Sequence, residues 1–69
     1  MKETVSNSVL ALRSETKITQ EAFADKIGVT RQTVIAIEKG NYIPSVLLAM
    51  KIAQFFNKTV EEIFSITNS

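Results

Sequence analysis

The chain has 69 residues, 45% of them hydrophobic, with no cysteine, no histidine and a formal net charge of +1. Those counts exclude disulfides, zinc fingers and histidine-based catalysis, and they bound the chain to one domain with a small core. The near-neutral balance says little about partners, although from Thr30 to Lys58 four cations (Arg31, Lys39, Lys51, Lys58) stand against Glu38 alone. Met1 to Ser8 is polar, and no apolar run approaches the length of a membrane span. The expectation is a cytoplasmic protein without a membrane segment.

Residues 1–6 lack helical periodicity and are expected as either a frayed tail or a short edge strand, ahead of a domain over 7–66. A first helix is predicted from about 7 to 15, with Val9 and Leu12 on one face. Thr19 is a natural N-cap for a second helix, and Glu21 suits its positive first turn. Phe23, Ala24 and Ile27 lie three or four residues apart and form one apolar stripe on that helix. Gly28-Val29-Thr30 then supplies a helix stop, an apolar plug and a fresh N-cap. A third helix over about 30–39 carries Val34 and Ile37 inward. Two short helices joined through a tight turn at Gly28, with small Ala24 allowing a close crossing, make a helix-turn-helix.

After Gly40, Asn41-Tyr42-Ile43-Pro44 reads as a loop whose proline disfavours helix at the preceding residue. Ser45 caps a fourth helix, with Val46, Ala49, Ile52, Ala53 and Phe56 as its expected buried stripe. Asn57 is a left-handed stop. Thr59 and Glu62 form a capping box that opens a short fifth helix over 60–64. The predicted architecture is an all-α, five-helix bundle with a central helix-turn-helix.

The small residue at Ala24, Gly28, the apolar set Phe23, Ile27, Val34 and Ile37, and the IEKG ending at Gly40 together resemble the Cro/phage-repressor type of helix-turn-helix. This is the XRE family of transcriptional regulators, and the resemblance covers about Val9 to Phe64. The run TRQTVIAIEKGNYIPS is similar to that of its very short dimeric, cytolysin-repressor-like members. The resemblance implies a lambda-repressor-like DNA-binding fold, with double-stranded DNA and a second copy of the chain as partners.

On the third helix, a step of 100° per residue turns Gln32, Ile35, Ala36 and Lys39 outward and leaves Arg31 at the flank of the first turn. A helix of this size fits the major groove, where each base pair presents its own donor and acceptor pattern. Arg31 can pair bidentately with guanine, and Gln32 with adenine. Thr33 can offer its hydroxyl to a phosphate or base, or its methyl to thymine. Ile35 and Ala36 either meet thymine methyls and sugar faces or, for Ile35, pack on a neighbouring side chain. Thr30 is a cap first and a contact second.

The resemblance adds Gln20 as a phosphate contact at the start of the second helix, and Lys39, Asn41 and Tyr42 as a clamp on a second stretch of backbone. Tyr42 alternatively covers the core edge. Glu38 lies only about 40° from Val34 on the helix wheel, and the resemblance pairs it with Arg13 beneath the recognition helix.

Helix four carries more apolar residues than its own stripe can bury, and the C-terminal segment adds to the excess. Contiguous exposed apolar surface marks an interface. Leu47, Phe55, Ile63, Phe64 and Ile66 are therefore expected at a homodimer face. The leading functional expectation is a sequence-specific repressor binding a pseudo-palindromic operator as a homodimer. The alternative is an antitoxin or adaptor-type interaction module on the same fold. With no histidine, cysteine, glycine-rich phosphate loop or carboxylate pair in a recognisable cleft, an enzyme is not expected, nor a cofactor, metal or small-molecule ligand.

Overall fold

The computed structural model describes residues 2–68. In chain order the elements are β1 (Glu3–Asn7), α1 (Val9–Thr16), α2 (Gln20–Ile27), α3 (Arg31–Glu38), α4 (Val46–Phe56), α5 (Val60–Ile63) and β2 (Phe64–Asn68). Five helices follow one another in the expected order, but α1 begins at Val9 and not at 7, because Asn7 belongs to the strand that is one of the two readings of the N-terminal residues. The fold is nevertheless not strictly all-α, because β1 and β2 pair as a two-stranded antiparallel sheet. Val5 lies opposite Ile66 and Asn7 opposite Phe64. The predicted fifth helix is accordingly one residue too long, since Phe64 is already extended.

Local chemistry accounts for the helix ends. Thr19, Thr30, Ser45 and Thr59 each accept, through the side-chain hydroxyl, a backbone N–H three residues on. This satisfies one of the four donors that a helix start leaves unpaired. α3 ends on Gly40 at φ 79°, where Gly40 N–H donates to Ile37 O and Asn41 N–H to Ala36 O. That doubled pattern needs a left-handed residue, which glycine adopts at least cost. Lys17 and Asn57 close α1 and α4 in the same conformation.

The core gathers Val9, Phe23, Ala24, Ile27, Val34, Ile37, Leu48, Ile52, Ala53 and Ile63. Phe55 and Phe56 stack on Phe23, with ring centroids 5.2 Å from it and 5.0 Å from each other. Helix four corrects the expected stripe at its first turn. Leu48 is buried and Val46 is 78% exposed, because the buried face of α4 runs through Leu48, Ala49, Ile52 and Ala53. Among the described residues, no helix is long and apolar enough to cross a membrane.

Candidate nucleic-acid interface

The start of α3 is presented to solvent by the turn at Gly28, whose φ of 78° reverses the chain without a Cβ in the way. Val34 and Ile37 are sunk in the core and fix the inner face of the helix. Arg31 and Gln32 stand exposed on its first turn, and Thr33, Ile35 and Ala36 are half-buried along the outer face. Thr30 Oγ1 accepts from Thr33 N–H at 3.2 Å and lies 3.1 Å from the Thr33 hydroxyl. Those two hydroxyls are thus partly engaged with each other before any ligand arrives. Lys39, Asn41 and Tyr42 follow as an exposed group beyond the helix end.

Behind this face lies the Arg13–Glu38 pair. Arg13 Nε donates to Glu38 Oε2 at 2.6 Å and Nη2 to Oε1 at 3.2 Å, a bidentate arrangement. The two side chains are 15% and 5% exposed. Arg13 Nη1 also donates to Ile18 O at 3.0 Å, so the guanidinium fastens the α1–α2 connector as well. Gln20 has a position that the sequence did not reveal: its Nε2 donates to Glu38 Oε1 at 3.1 Å. The first turn of α2, the carboxylate of α3 and the arginine of α1 therefore form one network. Gln20 keeps its Oε1 and a second N–H, but it is anchored inward and not simply free for a phosphate.

The residues expected at a dimer face separate into three groups. Ile63 is a correction: at 3% exposure it belongs to the monomer's own core, because the single turn of α5 points it beneath α1 and α4. Phe55 and Phe64 are half-buried and pack against that core, Phe55 through the Phe23 stack. Leu47 and Ile66 are exposed. Leu47 nonetheless lies about 100° around α4 from Val46, and it borders a shallow groove with Val29, Tyr42 and Lys51. A second groove, almost wholly apolar, is lined by Val5, Ile43, Pro44, Val46, Val60 and Phe64. Ile43 and Val46 in its lining are more than half exposed, as is Met50, one turn along α4 from Val46. The helix-period pattern hid this surface, because Val5 and Phe64 reach it from the sheet.

The helix-turn-helix family model HTH_3 matches residues 9–63. The chain belongs to this Cro/C1-type (XRE) family of DNA-binding helix-turn-helix regulators. An uncharacterized HTH-type transcriptional regulator of Methanocaldococcus jannaschii is 52% identical over 60 residues, covering 87% of this chain and 91% of that protein. The cryptic phage CTXphi transcriptional repressor RstR of Vibrio cholerae is 35% identical over 60 residues, covering 87% and 54%. Among solved structures, the transcriptional regulator VanUg superposes with a TM-score of 0.77 at 17% identity, over 100% of this chain and 92% of that one. This last likeness concerns the fold alone.

Proposed function

We propose that this XRE-family domain is a sequence-specific transcriptional repressor that binds a pseudo-palindromic operator as a homodimer, α3 lying in the major groove. The observation that carries the reading is the exposed first turn of α3, where Arg31 and Gln32 stand clear of a helix fixed from behind by Val34, Ile37 and the Arg13–Glu38 pair. Arg31 reads guanine and Gln32 adenine, while Ile35 and Ala36 meet thymine methyls. Lys39, Asn41, Tyr42 and the backbone N–H groups near Gln20 hold phosphates and set the register. The repressor RstR, 35% identical, supports repression over activation. The protein acts by binding and not by catalysis, and it works in the cytoplasm, where its DNA is.

One helix of this length reads only a few base pairs, so specificity calls for a second copy. The apolar groove between the sheet and α4, with exposed Ile43 and Val46 in its lining and with Met50 and Ile66 exposed on the same helix and sheet, is the self-complementary face of that dimer. The same surface also fits an antitoxin or adaptor module whose main partner is another protein. Selection of bound sites from a random duplex pool separates the two. The repressor model expects a two-fold half-site pattern and salt-dependent binding. A pool that returns no preferred sequence, with a heteromeric partner co-purifying stably, defeats it.

A further inference from the structure

Asn7 closes β1, and its half-buried side chain sits between the start of α1 and the end of α3. Its Nδ2 donates to Ile37 O at 3.0 Å, and its Oδ1 accepts from Val9 N–H at 3.0 Å. One planar amide thereby serves two helix ends of opposite polarity, using both halves of its hydrogen-bonding capacity. Ser8, the N-cap of α1, makes no side-chain capping bond, so Asn7 takes that role from one residue further out. At the other end, Ile37 O already accepts Gly40 N–H, and the Asn7 amide gives this carbonyl a second donor from another element.

The backbone of Asn7 is itself fixed by the sheet. Asn7 is paired with Phe64, the next pair on the same face is Val5 with Ile66, and Ser8 N–H donates to Ile63 O at 3.0 Å. Val5 and Phe64 line the apolar groove. A continuous set of bonds therefore runs from the groove, through the strand pair and one amide, to the recognition helix. Arg13 grips α3 at the neighbouring residue, Glu38, from a point further along α1. Val34 and Ile37 hold the inner face of α3 in the core, and Arg13 and Asn7 add polar tethers to its C-terminal end from two different directions.

We propose that Asn7 is a positioning residue for base reading: it fixes the angle of α3 and ties that angle to the order of the terminal sheet. This rests on the DNA-binding reading above. Bidentate base contacts depend on angle, because hydrogen bonds weaken steeply as they bend. Contacts to phosphates tolerate misalignment far better, so the loss of this tether falls on specificity.

The test uses the full chain and two variants. Asn7→Asp keeps the acceptor for Val9 N–H and places negative charge at a helix start, where it is favourable. It also exchanges the donor to Ile37 O for a second acceptor. Asn7→Ala removes both bonds without adding charge. Affinity is measured for the selected duplex and for a scrambled one at a single salt concentration, below the unfolding range of every protein used. The expected result is a loss of about tenfold on the selected duplex, with the scrambled duplex held close to wild type, in both variants. A merely structural role would lower the unfolding midpoint and leave the ratio of the two affinities alone. Folded variants with the wild-type ratio overturn the inference. Hydrogen exchange of the Asn7 side-chain amide in the wild type reports the tether even where a variant fails to fold. It is expected to be slower than that of exposed Asn41 and Asn57, and equal rates also overturn the inference. A wild type that binds both duplexes alike defeats the DNA-binding reading itself, which the two-duplex comparison distinguishes from failure of Asn7.

Discussion

Arg31 stands exposed on the first turn of α3 and is the guanine reader of the proposed complex. Arg31→Ala should lose about 1–3 kcal/mol on the best duplex and relax preference at one or two base pairs. Competition against single-base variants checks this, and uniform weakening would reassign Arg31 to a phosphate. Lys39→Ala should weaken all duplexes alike and lower the salt slope by about one; an unchanged slope removes Lys39 from the interface. Beneath them, Arg13→Met leaves the Glu38 carboxylate nearly enclosed without its cation. Breaking such a pair costs about 3–5 kcal/mol, more than the intact pair contributes. Gln20 still donates to Glu38, so the loss should fall towards the lower end. Adding Glu38→Leu should restore much of it in urea unfolding, and a single variant with wild-type stability would argue against any burial penalty.

The elements were legible to different degrees, and the reasons are physical. Helix starts announce themselves locally: Thr19, Thr30, Ser45 and Thr59 each bond within three residues of themselves. The strands do not. ETVSN and FSITN alternate at a period of two, but each is short and largely polar, and their pairing joins residues such as Ser6 and Ser65, 59 positions apart. Lys17 at φ 59° was equally hidden, since lysine carries no left-handed signature. Of the candidate site, the outward residues of α3 follow from its periodicity, whereas the inward turn of Gln20 and the two-sided bond of Asn7 depend on tertiary approach. The capping box on α5 yields a pH prediction. Glu62 is held below its ordinary value chiefly by the Thr59 backbone N–H it accepts, with the Thr59 hydroxyl and Lys58 adding to this and desolvation opposing it. A depressed folded pKa contributes stability that is present above the unfolded value and lost as pH falls through the folded one. Glu62→Gln should therefore show a shallower loss of unfolding midpoint on acidification than the wild type. Parallel curves would show that the box does not couple to global stability.

For the whole molecule, the groove between the sheet and α4 is the assembly face of the proposed dimer. A two-fold dimer sets two recognition helices about 34 Å apart, one turn of DNA. A charge at the centre of a self-complementary patch meets its own copy across the axis. Val46 and Ile66 are 78% and 71% exposed, so Val46→Asp or Ile66→Asp removes little from the monomer's core. Each should give a folded monomer whose specific affinity has collapsed while weak non-specific binding persists. Sedimentation of the wild type as a monomer at tens of micromolar, together with a non-palindromic selected site, would sink the dimer model.

The strand pair also dictates an order of events during synthesis. The two helices of the motif and their turn are complete within one short stretch of chain, and such local contacts form quickly. β1 leaves the ribosome before them but has no partner until β2 has followed, after every helix has been made. Closing that pairing joins the most distant described parts of the chain, so its loop-closure cost falls last. Val5 and Phe64 then come together to finish the groove wall. The groove wall is therefore the part of the fold that depends on both ends of the described chain. In the proposed dimer, a chain that has not closed this strand pair lacks part of the face it would present to a second copy.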